Sequence, residues 1–229
     1  MLTLAIETSA SLGSVALFEA NTVLAEQSLE LGRQHGQSLI PTIQQLLSNC
    51  GKQPRDLELI AVSIGPGSYT GLRVGVVCAK TLAYAANCRL TAVDTLQAVA
   101  CNSPADTTIV EVICDAQRGD LFAGKYSPGT AGHWVPQHPI RQISAAAWAN
   151  EVHSADTVSG PGLDKYSQLV EGRCRVLDPE FRRPHAVWVG RLGLDQSAAG
   201  VVADLWGVEP LYLRRSSAET QWEKLHPAR

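Results

Sequence analysis

Several features that commonly announce a function are missing from this chain of 229 residues. No stretch reaches the roughly 18 consecutive apolar residues that a spanning helix needs, and the N-terminus runs straight into LTLAI without a basic leader. The expectation is a protein of the cytoplasm with no membrane contact. The six cysteines (Cys50, Cys78, Cys88, Cys101, Cys114, Cys174) include no CxxC pair and sit mostly in apolar runs, so they read as reduced core thiols. The six histidines form no HExxH and no Cys/His cluster, which speaks against a dedicated metal site, and His133 and His138 read as surface residues of a loop. No GxSxG elbow, no GxGxxG and no Walker lysine is present, and no Ser/His/Asp set stands out. A surplus of base is missing too: Lys and Arg number 19 against 22 Asp and Glu, and the pI is about 6.1. A protein that grips nucleic acid alone needs a basic face for the phosphates, so any nucleic acid must be held mainly by another chain.

What is present is an ordinary globular composition, 45% hydrophobic and 18% charged. The first 28 residues read as a meander, Leu2 to Ile6, Ser14 to Phe18 and Val23 to Leu29, with turns at Gly13 and Asn21. Leu39, Ile40, Ile43, Leu46, Leu47 and Cys50 recur at spacings of three and four, which predicts an amphipathic helix ended by Gly51 and Pro54. An apolar strand, Leu59 to Ile64, a helix from about Leu72 to Ala86, a strand at Leu90 to Val93 and a helix capped by Asp94 come next. A second unit starts near Thr107 with strands around DAQRGD. Residues 127 to 139 read as loop, Ser144 to Val152 and Ala186 to Ala199 as helices. The predicted division is a first lobe over 1–106 and a smaller second lobe over 107–229, with a C-terminal segment able to return to the first.

Three local features bear on function. SIGPGSYTGLRVG, residues 63 to 75, stops a buried strand at a glycine turn and starts a helix: Gly65 and Gly67 give permissive backbone, Ser68 or Thr70 can cap, and the open helix start would favour an anion. A plain tight connection fits the same residues. Along the helix, Gly71, Gly75, Ala79 and Ala83 recur every four residues as one smooth strip. Glycine inside a helix costs about 1 kcal/mol relative to alanine, so the close approach of another backbone is the expected gain, either within the lobe's core or at a subunit interface. Finally, the polar turns Glu7-Thr8-Ser9 and Asp115-Ala116-Gln117-Arg118-Gly119-Asp120 could face each other across a cleft and hold Mg-phosphate, or simply be capped turns.

Taken together, LAIETSASLGSVAL, HGQSLIPTIQQLL, GPGSYTGLRVGVVCAKTLAYA, AVDTLQAVA, DAQRGDLFAGKY and YLRRSSAE resemble the TsaB (YeaZ) family. The resemblance implies an α/β fold of the actin/sugar-kinase (ASKHA) type, two lobes of ribonuclease-H-like topology with mixed sheets flanked by helices. It further implies a non-catalytic subunit that binds a TsaD-like partner, with a TsaE-like ATPase, for threonylcarbamoylation of adenosine 37 in tRNA. Contact with tRNA is then indirect, through the complex, and the chain forms a homodimer when the partner is absent. The implied docking residues are His35, Leu39, Ile43, Leu46, Gly71, Leu72, Arg73, Gly75, Val76, Ala79, Lys80 and Ala83. The implied residual nucleotide cleft comprises Glu7, Thr8, Ser9, Gly65, Gly67, Ser68 and Asp115.

The paralogue TsaD holds its metal with a two-histidine HxxxH motif, whereas His35 to Leu39 keeps one histidine, and a lone imidazole cannot anchor such a site. No catalytic residue, metal or cofactor is therefore carried over, beyond weak ATP or ADP binding at a complex interface. ETS stands where the family has DTS, and DAQRGD departs from its DAR-G-E. The alternatives are an ATP-dependent phosphotransferase using Glu7, Thr8, Asp115 and the Gly65 to Gly71 loop, and a metallopeptidase, an older label for the wider family.

Overall fold

The computed structural model describes residues 1–29, 35–129 and 134–214, with His35 by its backbone alone. His133, Arg215, the RSSAE motif and the His35 side chain therefore lie outside the described residues.

Alternating side chains shape the first three strands, β1 (Leu2–Glu7), β2 (Ser14–Glu19) and β3 (Thr22–Ser28), into an antiparallel meander. β1 is buried on both faces, β3 on neither fully, as an edge strand should be. Two crossovers add β4 (Leu59–Gly65) and β5 (Arg89–Asp94) parallel to β1, giving the order β3-β2-β1-β4-β5. The crossover helices, α1 (His35–Asn49) and α2 (Tyr69–Ala86), cover one face of this sheet. α2 begins earlier than its apolar spacing predicts because the Ser68 hydroxyl accepts from the Gly71 N–H and caps it. It ends at Asn87, whose left-handed backbone closes the helix as a C-cap.

α3 (Thr95–Ala100), capped by Asp94, leads into the second sheet: β6 (Val110–Gln117), β7 (Asp120–Pro128), β8 (Trp134–Pro136), β9 (Arg141–Ser144), β10 (Thr157–Ser159) and β11 (Arg175–Val176). Its order is β11-β10-β6-β7-β8, with β9 also on β7. β6 pairs antiparallel with β7 and parallel with β10, so the second sheet repeats the strand order and directions of the first. Residues 127 to 139 are not all loop as the sequence suggests: β7 runs on to Pro128, and β8 pairs with its end, burying Trp134. α4 (Ala145–Glu151) and α5 (Leu163–Tyr166) cover the outer face of this sheet around the fully buried Trp148.

α6 (Ala186–Ala198) lies between the sheets with α3, packed on β1, β2 and β4. The chain is thus layered as α1/α2, first sheet, α3/α6, second sheet, α4/α5, with three apolar cores. This is an α/β arrangement of two mixed sheets flanked by helices. No helix among the described residues is long and apolar enough to cross a membrane.

Candidate functional site

Glu7, Thr8, Ser9, Gly65, Gly67 and Ser68 do come together, where the C-terminal ends of β1 and β4 meet the start of α2. The Ser68 N–H donates to Ser9 O at 2.7 Å, and the Thr8 hydroxyl donates to Gly71 O at 2.8 Å. A Cβ on Gly67 would stand 2.6 Å from Ser9 O, so only glycine lets the loop seat on the turn. Gly65 takes a left-handed φ of 119° and its N–H donates to Thr95 Oγ1 at 3.1 Å. These contacts make the cluster a packed joint among β1, β4 and α2.

Glu7 is wholly buried, and its Oε1 accepts from the Ser9 N–H and hydroxyl. Burial pushes its carboxyl up; Ser63, Ser9 and Ala10 act against that shift. Ser63 is near enough to matter electrostatically, yet neither its Oγ nor Glu7 Oε2 completes a hydrogen bond, so desolvation governs. Asp115, the carboxylate the phosphotransferase alternative places opposite, is committed inside the second lobe. Its Oδ1 accepts from the Gln117 N–H (2.9 Å) and the Tyr166 hydroxyl (3.1 Å), and its Oδ2 pairs with Lys165 Nζ at 3.1 Å. Among the described residues no group of three His, Cys, Asp or Glu side chains could hold a metal ion.

The residues expected at a partner interface need correction. Gly71 and Gly75 are buried, Ala79 and Ala83 are 0% and 1% exposed, and Leu72 and Val76 each 3%, all within the chain itself. Leu39, Ile43 and Leu46 are likewise buried. The smooth strip faces the chain's own sheet: a Cβ on Gly75 would stand 2.2 Å from Thr8 Oγ1. The Thr8 side chain, just past β1, thus sits in the space that Gly75 leaves, and no partner is needed to explain that glycine.

The surface that α1 and α2 leave open lies on their other side. Ile40, Val77, Tyr84 and Tyr69 are 51%, 61%, 66% and 46% exposed. A cavity of about 480 Å³ runs between the helices, walled by Leu39, Ile40, Val74, Val77 and Leu82, with Arg73 as its charged residue. A larger cavity, about 540 Å³, lies by Trp134, Phe181 and Trp188, but the Ser103 and Thr107 hydroxyls in its wall are sealed from solvent and converge on nothing.

Arg73 and Lys80 hold residues of the C-terminal segment that the sequence allows to return to the first lobe. Lys80 Nζ donates to Trp206 O (2.9 Å) and Val208 O (3.1 Å), and Arg73 Nε donates to the Tyr212 hydroxyl at 2.9 Å. The Arg73 guanidinium also sits 4.1 Å from the Tyr69 ring centre, and the Tyr84 and Trp206 rings meet at a tilt of 57° with centroids 5.6 Å apart. Residues 206–212 therefore run as a strap beside α2. Nothing periodic marks that segment; the faint signal was the placing of Trp206 and Tyr212 after the last helix.

A family model described as "TsaD: tRNA N6-adenosine threonylcarbamoyltransferase" matches residues 23–132. The chain is 32% identical to the tRNA threonylcarbamoyladenosine biosynthesis protein TsaB of Bacillus subtilis, over 97% of this chain and 98% of the relative. It is 29% identical to the protein of that name from Escherichia coli, over 97% of each. Among solved structures, YeaZ from Pseudomonas aeruginosa superposes with a TM-score of 0.82 at 26% identity, covering 93% of this chain and 99% of that one.

Proposed function

Because the chain belongs to the TsaB family of tRNA threonylcarbamoyladenosine biosynthesis proteins, we propose that it works in that pathway as a non-catalytic docking subunit. Its partner is a TsaD-like subunit that performs the transfer to adenosine 37, with a TsaE-like ATPase engaging the pair in the cytoplasm. The chain meets tRNA only through that assembly, which agrees with its slight excess of acid over base. Any ATP or ADP binds at an interface of the complex, because the polar turns of the chain itself are packed on their own neighbours.

One observation carries this: the exposed apolar face between α1 and α2, with Ile40 and Val77 each more than half exposed on a cavity of about 480 Å³. A contiguous apolar surface of this kind is a mark of protein association, and long apolar and aromatic side chains are the usual anchors of such contacts. Without the partner, the same face supports pairing of two copies of this chain.

Val77→Asp tests it. Val77 faces solvent, so the substitution leaves the fold intact while placing a charge at the centre of the face. On a sizing column the parent chain co-elutes with its cognate TsaD-like subunit, and the variant runs alone. Co-elution of the variant at the parent's level would sink the docking role.

A further inference from the structure

The last described residues, 203–214, form neither helix nor strand, yet they are tied down along their length. The Ala203 N–H donates to Leu90 O at 2.8 Å and the Leu211 N–H to Ile64 O at 2.7 Å, both on the first sheet. Leu211 also closes over Gly65, where an added Cβ would meet its carbonyl oxygen at 3.5 Å. Three residues on, the chain has reached the other lobe. Arg214 Nη1 donates to Ala116 O at 2.7 Å and Gln117 O at 3.3 Å, and lies 4.0 Å from Asp120 Oδ2. Three residues span about 10 Å at most, so Leu211 to Arg214 bridges the end of β4 and the β6–β7 turn directly.

The turn that Arg214 grips is unusual. Gln117, Arg118 and Gly119 take φ of 62°, 55° and 88°, the only run of three left-handed residues among those described. Arg118-Gly119 is the two-residue loop between paired Gln117 and Asp120, where a primed turn asks for positive φ at both positions. Gln117 adds a third at the register shift that comes after Asp115. A side-chain-bearing residue holds such backbone only where its surroundings over-determine it. Asp115 Oδ1 fixes the Gln117 N–H on one side, and Arg214 fixes the carbonyls of Ala116 and Gln117 on the other.

We propose that Leu211 to Arg214 is a staple between the lobes: Arg214 holds the β6–β7 turn in its left-handed form and thereby ties that turn to the end of β4 at Gly65. Hydrogen exchange followed by mass spectrometry on the full chain tests it. In Arg214→Ala, amides of residues 115–121 and of Ile64 to Gly65 exchange several-fold faster, while β1 and β2 keep the parent's protection. Arg214→Lys, a point charge without the guanidinium fork, falls between. In a Gln117→Gly background, where the backbone takes positive φ unaided, the effect of Arg214→Ala on the turn shrinks. Faster exchange confined to residues 211–214 overturns the staple, because the arginine would then anchor only its own segment. A uniform loss across β1 and β2 overturns it as well, since a bridge must loosen the seam before the cores. An undiminished effect in the Gln117→Gly background overturns its hold on the turn's shape.

Discussion

Gly75→Ala isolates why α2 carries its glycines. The substitution removes a helix-interior glycine, which by itself favours the folded state by about 1 kcal/mol. The added methyl, however, lands 2.2 Å from Thr8 Oγ1, a hydroxyl that is fully buried and donates to Gly71 O. Relief comes in one of two ways. Thr8 can rotate, which breaks its 2.8 Å bond and strands a buried hydroxyl for about 1–3 kcal/mol; or α2 can lift from β1, an overpacking strain of about 1–3 kcal/mol. Either way the variant is less stable by up to about 2 kcal/mol net of the helix gain. Thr8→Ala removes the obstacle, since the next Thr8 atom that persists is its Cβ at an ordinary 3.4 Å. In that background Gly75→Ala becomes neutral or stabilising, a coupling of about 1–3 kcal/mol. Urea denaturation of the four proteins, without any partner, measures the cycle. If the two substitutions simply add, Gly75 does not serve packing against Thr8.

Glu7→Gln should flatten the acid limb of stability. The folded carboxyl sits above its usual 4.5, so between that value and the raised one the folded state binds the extra proton, and stability falls as pH rises. Denaturation midpoints across that window slope downward for the parent more than for the variant; parallel profiles would remove Glu7 as the cause. Burial pushes Cys78 and Cys114 to about 12 and Cys101 to about 11, so a thiol reagent at pH 8 labels these three slowly in the native chain and all six after urea. Fast native labelling of Cys78 would mean that α2 opens locally. Val77→Asp should change the unfolding free energy by under about 0.5 kcal/mol, as for an exposed position, while weakening partner binding by on the order of a hundredfold in calorimetry. Equal losses in both would mark Val77 as a core residue instead.

Much of the first lobe was legible in its sequence because each element carries its own signal. The meander alternates, α1 repeats at three and four, and Asp94 caps α3 in fact as in prospect, with Oδ1 accepting from Leu96 N at 2.8 Å. The side of α2 that turns inward was not legible. That helix is apolar nearly all round, so its own pattern cannot say which face meets the sheet; the clearance over Thr8 decides it. The same clearance recurs on α6, where a Cβ on Gly190 would strike Phe18 at 2.2 Å and one on Gly193 would strike Ala61 at 2.4 Å. Small residues in helices here answer to sheets, which a search for partner surfaces reads in the wrong sense. The second lobe was harder for a different reason: β8, β10 and β11 have two or three residues each, too few for a period to form.

The likeness of the two sheets bears on where a partner can dock. In each, a Gly-Pro-Gly turn ends the strand that runs parallel beside the lobe's first strand: Gly65-Pro66-Gly67 after β4 and Gly160-Pro161-Gly162 after β10. The first glycine of each is left-handed, with φ of 119° and 108°. The close contacts that an added Cβ would make fall on different glycines, Gly67 against Ser9 O at 2.6 Å and Gly160 against Ile113 O of β6 at 2.3 Å, so what the two turns share is the left-handed first glycine. Beyond the turn the two lobes diverge. The first continues into the 18 residues of α2, paired with the 15 of α1, whereas the second continues into the four of α5. Two long helices side by side leave an apolar furrow along their outer face; a single turn of helix has no length to make one. The proposed docking therefore belongs to the first lobe alone. Lys165→Glu on α5 should leave partner co-elution unchanged where Val77→Asp abolishes it, and loss of co-elution from the α5 substitution would move the interface to the other lobe.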